Sequence, residues 1–202
     1  TRVQSSATPE QDLMSALIHE QVWGRRLSNE EIASILRNWT VGEIGTISAS
    51  IGILVHRLAL DHALQTQLRK QPEWLPAAID EILRLHGPLV NNRRITTCPV
   101  MLQGRQIKAG ERITINWMSA NRDENVFQES EKFKLDRNPQ DNLLWGAGIH
   151  VCPGAPLAKL EMRVFLELLF SRTTLFKLPE DRKSVLAVYP SSGFSVLPVC
   201  LE

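Results

Sequence analysis

Cys152 is the residue of this chain best placed to do chemistry. It sits in Trp145-Gly146-Ala147-Gly148-Ile149-His150-Val151-Cys152-Pro153-Gly154, a glycine-bearing loop that runs directly into apolar helical periodicity. Leu157, Leu160, Val164 and Leu168 recur at helical spacing, which predicts a helix from near Ala155 with these side chains on its buried face. A sulfur just ahead of that helix feels the positive end of its dipole and its unpaired backbone N–H groups. Both favour the thiolate, the form that binds metal. Gly146, Gly148 and Gly154 let the backbone approach something flat and bulky. Taken alone, one cysteine is as readily a small buried hydrophobe; the loop around it is what points to a ligand.

The order aromatic-Gly-x-Gly-x-His-x-Cys-x-Gly resembles the haem-binding loop of the cytochrome P450 family, the haem-thiolate monooxygenases, with Trp145 where that family usually has Phe. The resemblance implies that Cys152 is the axial thiolate on the iron of haem b and that His150 bonds a haem propionate. It also implies that Trp145, Gly146, Gly148 and Gly154 shape the cofactor's cradle. Arg93-Arg94-Ile95-Thr96-Thr97 matches the stretch that supplies a second propionate partner, Arg94 rather than Arg93. Without the resemblance these are two solvated basic residues.

A second group of candidates lies upstream. Val41-Gly42-Glu43-Ile44-Gly45-Thr46 resembles the part of the family's central helix that carries an acid–alcohol pair over the distal face of the haem. Thr46 falls on the alcohol position, and Gly45 stands where the acid is expected. A hydroxyl alone has no charge to relay. Glu43, three residues before Thr46 and on roughly the same face of an α-helix, either replaces the missing carboxylate or is a buried or substrate-facing acid. Glu81-Ile82-Leu83-Arg84 places a carboxylate and a guanidinium three residues apart. On an arbitrary helix that is an exposed ion pair contributing under about 1 kcal/mol. In the family such a pair is buried, and the partner it implies here is Arg137, making a structural triad that ties the core to the loop before the cysteine. By the same resemblance Gly42, Leu89, Val90, Asn91 and the turn at Ser192-Gly193 face substrate.

The elements that must position these residues are mostly helical. Leu13, Leu17 and Ile18 predict a helix over Gln11–Val22, broken at Trp23-Gly24-Arg25-Arg26. Ser28 and Glu31 form a capping-box pattern, and periodicity then carries one long helix to about Leu60, apolar all round after Val41. Gly42, Gly45 and Gly52 each weaken that helix by roughly 1 kcal/mol relative to Ala. Tight helix–helix packing or close approach to a ligand would account for them. A further helix spans about Glu73 to His86, with Pro76 in its first turn and Pro88 beyond its end. Leu102–Ile107 and Glu111–Ile115 read as short antiparallel strands with turns at Gln103-Gly104 and Ala109-Gly110. Ala120-Asn121-Arg122-Asp123 and Phe127 match the family's irregular stretch ahead of the cysteine loop. Residues 184–201 have a strand–turn–strand pattern around Ser191-Ser192-Gly193.

Composition limits the alternatives. The 202 residues include 23 basic and 22 acidic side chains, a formal net charge of +1, which argues against nucleic acid or an anionic membrane as partner. Cys98, Cys152 and Cys200 are few, odd in number and widely spaced. They suit a reducing, cytoplasmic compartment without a disulfide framework. Thr1 to Pro9 shows no apolar signal core, and the uncharged run Ile44 to Val55 is too short to span a bilayer.

The expected fold is mainly α with a minor antiparallel β component, the C-terminal half of the P450 fold. Residues 1–202 would then be the haem-binding portion of one larger catalytic domain. The activity implied is insertion of one oxygen atom from dioxygen into a small organic substrate, with electrons from an NAD(P)H-fed chain through a ferredoxin-type partner. Gly45 at the acid position keeps peroxide-driven or altered oxidation as an alternative, and a haem-binding or inactive fragment without turnover is another. Pro153 adds a property of its own: it has no N–H to give the neighbouring sulfur, so the thiolate keeps more electron density. Pro153→Leu in the intact haem protein is therefore expected to raise the reduction potential in a spectroelectrochemical titration. An unchanged or lower potential contradicts that reasoning.

Overall fold

The computed structural model of the chain describes residues 12–189 and 191–202. Thr1–Pro9 and Gln11, the terminal stretch and the first residue of the first expected helix, lie outside them. The chain divides into two compact units, 1–45 and 46–202.

In the first unit Asp12 caps α1 (Leu13–His19), its carboxylate accepting from Ser15 N at 2.9 Å. The helix is shorter than its periodicity predicts. Gln21–Val22 (β1) instead pairs antiparallel with Arg25–Arg26 (β2), across a turn in which Trp23 and Gly24 both take positive φ. α2 (Asn29–Thr40) starts on the expected capping box. Ser28 Oγ accepts from Glu31 N at 3.2 Å, and the Glu31 carboxylate accepts from Ser28 N at 2.8 Å. The Arg25 guanidinium, with the Ser28 N–H, holds the Glu31 carboxyl down at about 2.

The single α-helix expected up to Leu60 is interrupted. Val41–Ile47 is a π-helical segment, and α-helical bonding resumes in α3 (Ser48–Leu60). Two glycines within the segment cost the α-helix most, and a wide turn is what they permit. Asn29–Leu60 as a whole is one helical run long and apolar enough to cross a membrane, with a mean hydropathy of 1.3 over its most apolar window. A core helix meets the same test, and Ile53, Leu54, Val55 and Leu58 near its end are buried in protein.

In the second unit α3 is followed by α4 (His62–Lys70), a 3₁₀ turn at Pro72–Trp74 and α5 (Leu75–His86). The next strands depart from the sequence reading. β3 (Asn91–Ile95) is a strand that Arg93-Arg94 did not announce. β4 (Val100–Leu102) and β5 (Arg105–Ile107) form a hairpin over Gln103-Gly104. β6 (Arg112–Asn116) pairs with β3, Arg94 opposite Ile113, and not with β5. The Ala109-Gly110 turn is held against the end of β3, Gly110 N donating to Thr96 O at 2.8 Å and Thr96 Oγ1 to Lys108 O at 2.6 Å. Those bonds turn the chain away from β5. A short α6 (Trp117–Ala120) follows β6, and α7 (Ala155–Arg172) follows the cysteine loop. The C-terminal stretch pairs β7 (Phe176–Lys177) with β10 (Cys200–Leu201), and β8 (Val185–Leu186) with β9 (Phe194–Val196). Gly193, at φ +88°, sits where a Cβ would come within 3.3 Å of Ala49 O and Ile53, so its turn lies directly on α3.

The core joins α3, α4, α5 and α7 through Leu54, Leu58, Leu68, Ile82, Leu83, Met162, Leu166 and Phe176. On α7 the buried stripe is Ala158, Met162 and Leu166. Leu157, Leu160, Val164 and Leu168, the expected core face, are each 40–50% exposed. Both stripes have helical spacing, and periodicity alone does not rank them when a helix is apolar on two sides. Leu83 on α5 is fully buried in the core to which α3 and α7 also contribute. Leu83→Ala is expected to lower the unfolding free energy by about 2–5 kcal/mol, read as a lower urea midpoint at unchanged slope.

Candidate functional site

Among the described residues Arg84 is the largest fully buried side chain. Its side chain is 1% exposed on α5, where a guanidinium is tolerated only if its charge and donors are matched. Nε and Nη2 donate to the two oxygens of Glu81 at 2.7 and 2.9 Å, Nη1 to Asn121 O at 2.6 Å, and Nη2 to Ser130 O at 2.8 Å. Phe127 covers the guanidinium face, 4.9 Å from its centroid. Glu81 also accepts from Arg137 Nε at 2.9 Å and from Lys134 N at 3.1 Å. Arg137 also donates from Nη1 to Gln128 O and from Nη2 to Glu129 O and Lys132 O. Glu81, Arg84 and Arg137 therefore meet in one network that clamps the irregular segment 121–137 onto α5.

Two asparagines extend the network to the cysteine loop. Asn121 Oδ1 accepts from Leu143 N at 2.8 Å and its Nδ2 donates to Asn142 Oδ1 at 3.1 Å. Asn142 caps the next 3₁₀ turn through Leu144 N and donates to Asp80 O on α5 at 3.0 Å. Gly146 N then closes that turn on Leu143 O at 2.9 Å. Asn142 carries no sequence signal: a loop amide has no periodicity, and an isolated asparagine in a loop is an ordinary turn residue. Asn121 stood inside the irregular stretch matched to the family, without a role.

The loop itself is short-circuited at its base, Cys152 N donating to Trp145 O at 2.8 Å. Val151 N reaches Gly148 O at 3.1 Å. Gly146 and Gly148 take φ of +76° and +68°, conformations that disfavour any side chain. Trp145 packs against the core with the Lys159 ammonium 5.8 Å from its ring centroid, and Lys159 pairs with Asp80 on α5 at 3.0 Å. Cys152 is a free, half-buried thiol two residues ahead of the helix cap Gly154. A Cβ built on Gly154 would stand 3.9 Å from Sγ, whereas one on Gly148 would meet nothing within 4 Å. Ile149, 96% exposed, and His150 project from the loop.

Other expected site residues fall into place locally. Leu89 forms an antiparallel bridge with Ser191, Val90 O accepts from Trp117 N at 3.0 Å, and Asn91 Nδ2 donates to Tyr189 Oη at 2.7 Å. The three residues are thus joined to α6 and to the C-terminal hairpin. Arg94 is exposed and donates to Arg93 O at 2.9 Å. Gly42, Glu43 and Thr46 lie in the π-helical segment, Glu43 exposed, and Thr46 O accepts from Ser50 Oγ at 2.8 Å. A π-helix bonds i to i+5, so the α-helical facing of Glu43 and Thr46 expected from their spacing does not hold.

These residues suit a prosthetic group better than a bare ion. Among the described residues no three His, Cys, Asp or Glu side chains gather as a metal cluster. Cys152 is a single soft donor, which fits a metal whose other ligands come from a macrocycle. The open side of Gly148 and the cationic or donor heads of His150 and Arg94 fit a flat, acid-bearing partner.

Comparison with known proteins agrees. The family model for cytochrome P450 matches residues 2–198. Steroid C26-monooxygenase of Mycobacterium tuberculosis (strain ATCC 25618 / H37Rv) is 35% identical over 196 residues, 96% of this chain and 49% of that enzyme. Cyclomarin C epoxidase CymV of Salinispora arenicola is 33% identical over 164 residues, 81% of this chain and 42% of the epoxidase. The crystal structure of CYP109E1 from Bacillus megaterium with testosterone superposes with a TM-score of 0.88 at 31% identity, covering 95% of this chain and 53% of that one. The chain spans about half the length of the curated relatives it matches.

Removing one member of the buried network strands the others. Glu81→Gln, which keeps shape and deletes the charge facing Arg84 and Arg137, is expected to cost about 3–5 kcal/mol by chemical denaturation.

Proposed function

The chain belongs to the cytochrome P450 family, and from that premise we propose that residues 1–202 are the C-terminal, haem-binding portion of a single larger catalytic domain. The whole domain is read as a haem-thiolate monooxygenase that places one oxygen atom of dioxygen into a small organic substrate. The observation that carries the reading is the free Cys152 thiol on a glycine-opened loop, braced by the Glu81–Arg84–Arg137 network. Two exposed features support the larger domain. The second apolar stripe of α7 stands uncovered, and monomers rarely leave contiguous apolar surface to water. In addition, β6 carries a partner on one side only, among the described strands.

When bound, haem b supplies the activation of dioxygen, and a thiolate ligand favours O–O cleavage. This chain's residues hold and surround it. Cys152 ligates the iron, His150 and Arg94 anchor the propionates, and Trp145, Gly146, Gly148 and Gly154 shape the loop beneath. Thr46 offers a hydroxyl to hold a proton on the distal side, with Glu43 as the nearest carboxylate in sequence. Leu89, Val90 and Asn91 border the substrate, a reading that the bridge from Leu89 to Ser191 of the C-terminal hairpin supports. Electrons come from an NAD(P)H-fed chain through a ferredoxin-type protein, in the cytoplasm.

A second reading draws on Gly45. It offers no carboxylate where one is expected, and a Cβ there would meet nothing within 4 Å, which favours peroxide-driven or otherwise altered oxidation. Tight coupling of NAD(P)H use to product in a ferredoxin-supported assay removes it.

The ligand assignment has a direct spectroscopic test in the intact protein. The reduced, carbon monoxide-treated wild type is expected to show the red-shifted Soret band of a thiolate-ligated haem, and Cys152→Ser to lose that band. A variant that retains it overturns the assignment.

A further inference from the structure

Both ends of the cysteine loop bond to one 3₁₀ turn, Leu143–Trp145. Gly146 N donates back to Leu143 O at 2.9 Å, and Cys152 N donates to Trp145 O at 2.8 Å. The placement of the Cys152 sulfur therefore follows the placement of that turn. The turn belongs to no sheet or long helix, and its polar supports are two asparagine side chains, Asn121 and Asn142.

The two asparagines are not equivalent. Asn121 is anchored through its own backbone, its carbonyl accepting from Arg84 Nη1 at 2.6 Å, and its Oδ1 accepts from Leu143 N at 2.8 Å. Asn142 stands at the head of the turn, and its amide faces two ways. Oδ1 accepts from Leu144 N at 2.9 Å and from Asn121 Nδ2 at 3.1 Å, while Nδ2 donates to Asp80 O on α5 at 3.0 Å. The bond from Leu144 N is a local cap of the kind any turn asparagine makes. The bond to Asp80 O is of another sort, because it spans 62 residues of sequence and ends on a helix of the core. Asp80 holds α7 as well, its carboxylate pairing with Lys159 Nζ at 3.0 Å. The turn before Cys152 and the helix after it are thus both tied to one residue of α5.

We infer that Asn142 is a positioning residue for the Cys152 thiolate. Its bridge from the turn to Asp80 O, and not its capping of Leu144 N, fixes where the sulfur stands against the metal. The inference rests on the haem-thiolate reading of Cys152. Residues that orient a metal ligand from outside commonly change metal affinity or activity by about 10–100-fold when replaced. A thiolate that drifts from the iron also donates less electron density to it, which raises the reduction potential.

Three variants of the intact haem protein separate this role from a contribution to stability. Asn142→Ala removes the cap and the bridge together. Asn142→Ser keeps a hydroxyl able to cap Leu144 N but is too short to reach Asp80 O as well. Leu68→Ala empties a fully buried site on α4, which carries none of these bonds. In the reduced, carbon monoxide-treated protein the red-shifted Soret band of Asn142→Ala is expected to decay about tenfold faster than that of wild type, roughly 1.4 kcal/mol, and its reduction potential to be higher. Asn142→Ser is expected to follow Asn142→Ala, and it keeps the test valid should the alanine variant fail to fold. Leu68→Ala is expected to lower the urea midpoint and to keep the wild-type band lifetime and potential. A wild type without the red-shifted band removes the ligand assignment and this inference with it. A wild-type band whose lifetime is unchanged in Asn142→Ala, wild-type behaviour in Asn142→Ser, or an equal change in Leu68→Ala overturns the inference and leaves the ligand assignment standing.

Discussion

A guanidinium removed from water dictates much of this structure. Arg84 is buried on the central face of α5, and its charge is tolerable only because Glu81 opposes it and backbone carbonyls from a distant segment complete its donors. Those carbonyls belong to residues 121 and 130, which have no regular secondary structure to hold them in place. The irregular segment therefore takes its path from the ion pair, not from a helix or sheet. Arg137 closes the arrangement by spending its fork on both Glu81 and the same segment. Continuity then runs through Asn121 and Asn142 to Leu143–Trp145 and to the amide of Cys152. Asn121 and Asn142 bond each other and the backbone of Leu143, Leu144 and Asp80. The last link, Cys152 N to Trp145 O, is between backbone groups. Such side-chain contacts specify one conformation because the alternatives leave a polar group unmatched.

The surface shows a complementary pattern. α7 is apolar on two sides, and the core takes the stripe with the smaller and more flexible side chains, Ala158 and Met162 beside Leu166. Leu157, Leu160, Val164 and Leu168 remain on the outside, which leaves the helix apolar on an exposed face as well as on the buried one. Val41 and Ile44 are likewise exposed, on the helical run that the sequence marks as apolar all round. These apolar faces are exposed in a chain that spans about half the length of the curated relatives it matches.

The helical run Asn29–Leu60 departs from regularity where its sequence does. Gly42 and Gly45 flank Glu43 and Ile44, and α-helical bonding gives way to π-helical bonding over those residues. Glycine's weak preference for the α-helix lowers the cost of the change, and π segments occur mostly at functional sites. The two glycines and the wide turn are thus local properties of one heptapeptide.

Much of this was legible in residue order. The capping box at Ser28 and Glu31, the helix ending at His86, the Gln103-Gly104 hairpin and the helix after the cysteine loop follow from local rules, since each depends on contacts within a few residues. The P450 family was legible too, because the pattern around Cys152 is contiguous in sequence. Tertiary structure decided what local rules leave degenerate. It chose which apolar stripe of α7 to bury, sent β6 to β3 instead of β5, and drew Asn142 into the bracing of the loop. The reason is common to all three: a side chain's pattern states what it is able to satisfy, and only the packed neighbours, brought from far along the chain, determine whether it is satisfied.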